Sequence, residues 1–269
     1  MISAQSVWDD IVKIRQKAPL IHSITNFVVM NVTANALLAL GASPVMAHAE
    51  EEAADMVSAA GALVINIGTL NPPWVAAMKT AMRAARERRI PIVLDPVGVG
   101  ATAYRLETTR SLLSAAAVSV IRGNASEISS LVSPGAGMKG VDSSLSSDAA
   151  VAAAQALSKT RGCVVSLSGA VDYIVDTGRM ICVHNGHPLM PRVTGMGCSA
   201  TAFTAAFAAV NPDIFAAAAH AMAVMGIAGE IAARGADGPG SFSARFLDVV
   251  YNLSEKDIHE LIRTDEGEK

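Results

Sequence analysis

The segment TGMGCSATAF, residues 194–203, places residues that could do chemistry at the start of an apolar, alanine-rich helix. Two glycines before a helix leave backbone N–H groups unpaired, and these groups attract an anion together with the helix dipole. Cys198 follows directly, and its residue type allows four roles: nucleophile, general base, metal ligand or small core residue. Gly195, Gly197 and Cys198 are therefore the first candidate catalytic residues.

A second group of polar residues lies in RGNASEI, residues 122–128. Asn124 and Glu127 have the spacing of a capping box, which would explain them without any function. Asp95 ends a neighbouring predicted strand and could bring a second carboxylate to the same place. Because Mg²⁺ is held by one or two carboxylates and substrate phosphates, Asp95 and Glu127 are candidate metal ligands. Arg122 would then hold a phosphate through two parallel N–H groups.

Short β-branched strands alternating with longer helical segments must position these residues. The predicted strands are residues 19–25, 62–68, 91–97, 118–123 and 163–169, and the predicted helices are residues 50–60, 73–88, 104–115 and 147–160. This alternation predicts an α/β fold with a mostly parallel sheet covered by helices on both faces. A hairpin turning at residues 176–178 follows, and the C-terminal part is predicted to be helical.

Polar residues stand at the carboxyl ends of the predicted strands. This position matters because ligands in parallel α/β sheets bind beyond the carboxyl ends of the strands. The polar strand ends are Thr25-Asn26, Gly68-Thr69, Asp95-Pro96, residues 122–124 and Ser168-Gly169. Each of them alone is explained as a turn or a helix cap. Five of them at one edge of one sheet favour a binding site.

The charge and the cysteines exclude several classes of function. The chain has 21 Lys and Arg against 24 Asp and Glu, a net charge of −3, and neither sign forms a long block. We therefore expect no nucleic-acid partner and no anionic membrane surface as a partner. The three cysteines are odd in number and form no CxxC pair, so we expect neither disulfides nor structural zinc. A reducing, cytoplasmic setting fits this pattern best.

Three further expectations concern the organisation of the chain. One domain over residues 1–269 is the simplest interpretation, and the first residues lack the pattern of a signal peptide. Residues 213–233 are apolar enough to resemble a membrane span, but they carry His220 and Glu230, and we expect a buried core helix. The glycine- and serine-rich segment 133–144 is the best candidate for a mobile loop.

Several segments, taken in order, resemble hydroxyethylthiazole kinases of the ribokinase-like superfamily. They are TNFVVMNVTANALLALGASPVMAHA, NIGTL, LDPVGVGAT, RGNASEI, GMKGVDS, SLSGAVDYI, VTGMGC and GPGSF followed by FLD. The resemblance extends from about residue 10 to residue 255 and implies a ribokinase-like fold. It also implies ATP-dependent phosphorylation of 4-methyl-5-(2-hydroxyethyl)thiazole in thiamine synthesis or salvage, and a homotrimer with active sites at subunit interfaces.

The resemblance assigns roles to residues at matching positions. The implied ATP-binding residues are Arg122 and Ser168, with Asn124 and Gly169 beside them, and the implied residues for the Mg²⁺-nucleotide are Asp95 and Glu127. The implied thiazole-binding residues are Asn26, Val28, Met46, Gly68, Thr69 and Gly195. Because these two groups lie in different parts of the chain, two subunits could contribute to one site.

This chain departs from the family pattern at two positions. Ser168 stands where the family usually has Thr, and it keeps the hydroxyl group. Met196 replaces the common Thr between the two glycines, so its backbone N–H is retained and only local side-chain contacts are in doubt.

Cys198 occupies a position where related sugar and pyrimidine kinases carry Asp as the general base, whereas thiazole kinases have Cys. The helix N-terminus favours the thiolate and nearby phosphate charge opposes it, so the sequence leaves the direction of the pKa shift open. Because phosphoryl transfer depends mainly on positioning and electrostatics, a weak base is sufficient here, and we expect no covalent role.

Two alternative functions stay open. The first is a hydroxymethylpyrimidine or pyridoxal kinase of the same fold, which the missing Asp disfavours. The second is a nucleotide-binding or thiazole-binding protein without turnover. Other residues are given structural roles: a core position for His22, no metal site at His184 and His187, and buried positions for Cys163 and Cys182.

Overall fold

A computed structural model of the protein describes residues 2–133 and 147–266, so most of the segment 133–144 lies outside the described residues. The strands are β1 (Leu20–Ile24), β2 (Ser43–Val45), β3 (Ala62–Asn66), β4 (Ile92–Asp95), β5 (Val120–Asn124), β6 (Val164–Ser168), β7 (Asp172–Val175), β8 (Met180–Val183) and β9 (Thr264–Glu266). In the described part they form one nine-stranded sheet in the order β2-β1-β3-β4-β5-β6-β7-β8-β9. The pairs from β2 to β6 are parallel, and those from β6 to β9 are antiparallel.

Helices cover both faces of this sheet. They are α1 (Ala4–Lys17), α2 (Met30–Leu40), α3 (Glu50–Ala59), α4 (Pro72–Arg88), α5 (Ala103–Ala115), α6 (Ala125–Val132), α7 (Ser147–Arg161), α8 (Met196–Ala208), α9 (Ile214–Ala233), α10 (Pro239–Asn252) and α11 (Glu255–Leu261). A hydrophobic core on one face joins α1, α2 and α8 to α11 to the sheet. A second core on the other face joins α3 to α7 to it.

The strands are apolar along their whole length because both of their faces are buried. In β3, Ala62 and Val64 belong to one core, whereas Leu63 and Ile65 belong to the other. The five predicted strands overlap β1, β3, β4, β5 and β6, and the four predicted helices differ from α3, α4, α5 and α7 by at most one residue at either end. The predicted mostly parallel sheet with helices on both faces is confirmed.

The C-terminal part agrees with the sequence prediction, with one addition. The hairpin is formed by β7 and β8, and Asp176 Oδ1 accepts hydrogen bonds from Gly178 N at 2.9 Å and Arg179 N at 2.6 Å in its turn. The residues after it form α8 to α11, as predicted, but residues 264–266 return to the sheet as β9 beside β8. This strand has a polar sequence, so hydrophobic periodicity does not reveal it.

The apolar segment 213–233 corresponds to α9. This helix has the length and composition of a membrane span, but 78% of its most apolar window is buried inside the fold. It packs against α8, α10 and the sheet as part of the first core. The expectation of a core helix is therefore confirmed.

Candidate active site

The parallel strands bring the predicted polar residues to one edge of the sheet. Asn66 and Asp95 end β3 and β4 and face each other in register. Asn124 and Ser168 end β5 and β6 and are likewise paired. Asn26 follows the end of β1, which lies beside β3. The strand ends named in the sequence are therefore neighbours in space.

Helix α8 begins above this edge, and both glycines before Cys198 are needed there. Gly195 is the N-cap with φ of 93°, and a Cβ on it would lie 2.6 Å from Val32 Cγ1. A Cβ on Gly197 would lie 2.8 Å from Arg122 Nη1, so the guanidinium group packs against the first turn. Ser199 N donates the first intrahelical bond, to Gly195 O at 2.7 Å. The preceding N–H groups of the turn are thus available to an anion.

Cys198 lies in a hydrogen-bond network that links β1, β3 and β4 to α8. Asn66 Nδ2 is 2.8 Å from Asp95 Oδ2 and 3.2 Å from Cys198 Sγ. Asn26 Nδ2 is 2.9 Å from Asn66 Oδ1 and 3.7 Å from Cys198 Sγ. Thr201 Oγ1 also donates to Asp95 Oδ2, at 2.8 Å. The network places the Cys198 thiol and the Asp95 carboxylate around one buried amide.

Burial changes the proton affinity of both acidic groups in this network. Burial raises the pKa of Asp95 to about 6. The positive charge of Arg122 lowers this pKa, and the negative charge of Glu127 raises it further. Burial also raises the pKa of the Cys198 thiol to about 12, and the Asp95 charge adds to this increase. The geometry therefore answers the question that the sequence leaves open: Cys198 carries its proton at neutral pH.

Arg122 and Ser168, the predicted ATP-binding pair, are in direct contact. Arg122 Nη2 donates to Ser168 Oγ at 2.8 Å, whereas its buried Nε has no hydrogen-bond partner among the described residues. Gly169 N donates to Asp172 Oδ1 at 3.0 Å, which fixes the turn after β6. Burial raises the pKa of Asp172 to about 6. A cationic group with an unused donor thus faces the α8 N-terminus.

Asn124 and Glu127 form the capping box that their spacing predicts. Asn124 Oδ1 accepts from Glu127 N at 2.9 Å, and Glu127 Oε2 accepts from Asn124 N at 2.9 Å. Glu127 Oε1 also accepts from Gly98 N at 2.9 Å. The structural explanation of this pair therefore holds, and a metal-binding role would be additional to it. The described residues contain no group of three or more His, Cys, Asp or Glu side chains that could hold a metal ion.

Of the six residues predicted to bind the thiazole, Gly195 is the N-cap of α8, and the other five follow β1, β2 and β3. Thr69 Oγ1 accepts from Phe27 N at 3.1 Å, and Asn26 Oδ1 accepts from Val28 N at 3.1 Å. A Cβ on Gly68 would lie 2.5 Å from Asn26 Nδ2, so only glycine fits there. Val28 is 67% exposed. These contacts connect the ends of β1 and β3, and the apolar Val28 side chain beside them is exposed to solvent.

Met46 directly follows β2, which is an edge strand of the sheet. Its carbonyl oxygen lies 3.1 Å from His48 Nδ1. The rings of His48 and Phe27 both lie 4.5 Å from the Trp74 ring, between centroids. This aromatic cluster was not predicted, because its members come from three separate segments.

Three polar residues in and around the site were missed by the sequence interpretation. Asn66 falls inside the predicted strand 62–68, and Thr201 lies one helical turn beyond Gly197. Arg105 donates to the carbonyls of Ile67, Val97 and Gly68 at 2.9, 2.7 and 2.8 Å and so holds the loops after β3 and β4. The polar residue that begins NIG, residues 66–68, was a usable signal for Asn66, whereas nothing local identifies Arg105.

The histidines and remaining cysteines have mainly structural positions. His22 is buried with Nε2 2.7 Å from Ala47 O, and Cys163 and Cys182 are buried free thiols. Strand β9 brings Asp265 Oδ2 to 2.7 Å from His184 Nε2, an acidic neighbour that lies 81 residues away in the sequence. His187 Nδ1 instead accepts from Leu189 N at 3.2 Å.

Comparison with known proteins gives one consistent family. The model of the hydroxyethylthiazole kinase family matches residues 11–256. A hydroxyethylthiazole kinase of Syntrophus aciditrophicus is 54% identical over 268 residues, which are 99% of each chain. One of Leptothrix cholodnii is 56% identical over 259 residues, covering 94% of this chain and 93% of that protein.

Solved structures agree with this result. A hydroxyethylthiazole kinase protein from Pyrococcus horikoshii superimposes with a TM-score of 0.91 at 43% identity, over 98% of this chain and 100% of the other. A pyridoxal kinase from Staphylococcus aureus, at 18% identity and a TM-score of 0.59, shares the fold alone. By the family match and by identity over nearly its whole length, this chain belongs to the hydroxyethylthiazole kinase family.

Proposed function

We propose that the protein transfers the γ-phosphoryl group of ATP to the hydroxyl group of 4-methyl-5-(2-hydroxyethyl)thiazole. The observation that carries this proposal is the α8 N-terminus, with Gly195, Gly197 and Cys198, placed beside Arg122 and Asp95. Unpaired N–H groups aimed at the transferring group stabilise the charge of its transition state. The names of the relatives identify the alcohol that these proteins phosphorylate.

The nucleotide side of the site consists of Arg122, Ser168, Asn124 and Gly169 in this proposal. Arg122 would donate hydrogen bonds to a phosphate oxygen from its planar guanidinium group, whose Nε has no partner among the described residues. The hydrogen bond from Nη2 to the Ser168 hydroxyl orients this group. Because Ser168 retains the hydroxyl usual at this position, its departure from Thr is compatible with the same contact.

Mg²⁺ fits the donor set of Asp95 and Glu127. Two carboxylates suit a cation that completes its shell with water and substrate phosphates. Asn66 and Thr201 occupy Asp95 Oδ2, so Oδ1 is the oxygen that would hold the ion. When bound, Mg²⁺ would offset the negative charge of the phosphates.

Cys198 would contact the acceptor hydroxyl as a weak base at most. Since burial keeps the thiol protonated, the thiolate is scarce at neutral pH. A loose transition state tolerates this, because the hydroxyl proton can leave late in the transfer. Asn26, Val28, Met46, Gly68, Thr69 and Gly195 would bind the thiazole.

The finer assignments belong to the same proposal. The product would serve thiamine synthesis or salvage in the cytoplasm, and the chain would act as one domain over residues 1–269. It would assemble as a homotrimer with sites shared between subunits. The support is that Val28, one of the proposed thiazole residues, is 67% exposed and follows Phe27, which is 60% exposed.

Steady-state release of ADP, measured with one alcohol at a time, separates the candidate functions. The thiazole alcohol should be turned over far faster than hydroxymethylpyrimidine or pyridoxal. A preference for either of those alcohols would support the pyrimidine or pyridoxal kinase alternative. ATP binding without ADP release for any alcohol would support a binding protein without turnover.

A further inference from the structure

Asn66 is the buried centre of the site. It ends β3, is 1% exposed, and uses every hydrogen-bonding position of its side-chain amide. Oδ1 accepts from Asn26 Nδ2 and Gly68 N, both at 2.9 Å. Nδ2 donates to Asp95 Oδ2 at 2.8 Å and to Cys198 Sγ at 3.2 Å. An amide with four partners in a buried network is held in one place.

The chemistry of its partners fixes which way this amide points. Gly68 N can only donate, so the Asn66 oxygen must face it. An ionised Asp95 carboxylate can only accept, so the Asn66 NH₂ group must face that side. Turning the amide over would put oxygen against carboxylate and N–H against N–H. Both N–H groups are therefore committed to Asp95 and Cys198.

Asp95 and Cys198 come from β4 and α8, which are separate elements of the fold. Thr201 donates to Asp95, and Asn26 approaches Cys198, but Asn66 donates to both. Its side chain thus connects the proposed phosphate and metal side of the site with the proposed acceptor side. Such a connection matters because a displacement of about 1 Å in an active site can reduce the rate by about 100-fold.

We propose that Asn66 is a positioning residue for phosphoryl transfer: its two N–H groups hold the Asp95 carboxylate and the Cys198 thiol in register across the site. Its oxygen does a separate task, which is to hold the Asn26 and Gly68 side of the acceptor pocket. The proposal rests on the proposed function, since it takes the thiazole alcohol as the acceptor.

The variant Asn66→Asp separates these two tasks. It keeps the size of the side chain and the oxygen that faces Gly68, and it replaces the NH₂ group with oxygen. We expect kcat with the thiazole alcohol to fall by about 100-fold while KM for ATP stays within about threefold. Asn252→Asp, a matched change at an exposed position at the end of α10, should keep wild-type values.

A second measurement distinguishes positioning from simple loosening of the structure. Alkylation of Cys198 by iodoacetamide, followed by mass spectrometry, should be slower in Asn66→Asp than in the wild type. The sulfur loses an N–H donor and gains a nearby carboxylate, and both changes disfavour the reactive thiolate. A loosened site would instead expose the thiol and speed up alkylation. Faster alkylation, an unchanged kcat, or a kcat loss accompanied by a raised KM for ATP would overturn the proposal.

If Asn66→Asp does not fold, Asn66→Ser provides the same test. Its hydroxyl can still accept from Gly68 N but is too short to reach Asp95 and Cys198 together. A kcat loss with unchanged KM for ATP supports the proposal, and a wild-type kcat refutes it. Absence of thiazole phosphate from the wild-type reaction would refute the proposed function instead, and the alkylation rates would still test the contact between Asn66 and Cys198.

Discussion

At the scale of single residues, the main question is how the acceptor hydroxyl loses its proton. Cys198 lies at a helix N-terminus, which favours a thiolate, but burial and the Asp95 charge dominate and raise its pKa to about 12. The hydrogen bonds from Asn66 and Asn26 only partly oppose this increase. We therefore expect catalysis to depend on the backbone N–H groups and on Arg122 more than on a strong base.

This balance makes a prediction for two variants of Cys198. Cys198→Asp should keep or raise kcat, because burial beside Asp95 would lift the new carboxyl pKa toward neutrality, where a general base works best. Cys198→Ala should keep kcat within about 100-fold of the wild type, since positioned N–H groups still stabilise the transition state. The measurement is kcat across pH for the three proteins, with ATP binding determined separately. Loss of all turnover in both variants, with a phosphorylated Cys198 in the wild type, would indicate a covalent nucleophile.

Glu127 combines a structural and a proposed catalytic task. In Glu127→Ala the backbone N–H groups of Asn124 and Gly98 lose their acceptor, so stability should fall by about 1–3 kcal/mol. We expect kcat per folded molecule to fall much further, because the proposed Mg²⁺ ligand is also lost. Denaturant unfolding and activity titrated against the folded fraction check both effects. Unchanged activity per folded molecule would leave the capping box as the whole role of this residue.

At the scale of elements, a hydrogen-bonded cluster around the buried Asp10 connects the first helix to the core. Asp10 of α1 lies 2.8 Å from His220 Nδ1 of α9 and 2.8 Å from Lys13 Nζ. Burial raises the pKa of Asp10, but the hydrogen bonds from His220, Lys13 and Asn211 outweigh it and hold the pKa below its usual value. The Asp10 carboxylate therefore stabilises the folded state.

The sign of the pH effect follows from that lowered pKa. Stability from Asp10 is fully present above the unfolded pKa of about 4 and is lost as the pH falls through the lower folded value. Asp10→Ala should reduce the free energy of unfolding by about 1–3 kcal/mol at neutral pH, because the buried His220 ring loses its hydrogen-bond partner. Lys13→Ala, which removes a half-exposed partner, should cost only about 0–1 kcal/mol. Urea unfolding at neutral and acid pH measures both, and equal effects of the two variants would contradict this account.

The sequence predicts most elements because their patterns are local. Strands such as β3 are apolar on both faces, and the Asn124–Glu127 spacing marks the start of α6. Strand β9 is not predictable in this way, since its pairing with β8 depends on where α11 ends. In the site, residues at strand ends were identified, but Asn66 and Thr201 were missed. Their roles arise only when β3, β4 and α8 come together, and a sequence pattern does not show that contact.

At the scale of the whole molecule, apolar side chains remain uncovered next to the proposed thiazole residues. Phe27 and Val28 are 60% and 67% exposed. A neighbouring subunit over this surface would bury them and complete the site. Adjacent exposed apolar side chains commonly mark an interface.

Changing this surface should therefore affect assembly and activity together. Phe27→Asp should weaken association by about 100-fold or more, because it would bury an unpaired charge between subunits. Sedimentation velocity should show a trimer for the wild type and smaller species with reduced activity for the variant. A fully active wild-type monomer would refute the shared site.

The central claim is transfer of a phosphoryl group to the thiazole alcohol, and direct detection of the product tests it most closely. The protein is incubated with 4-methyl-5-(2-hydroxyethyl)thiazole, ATP and Mg²⁺, and the reaction is followed by mass spectrometry. The account predicts that the phosphorylated thiazole alcohol and ADP form in equal amounts. Binding of ATP without any phosphorylated thiazole, at every alcohol concentration tried, would contradict it.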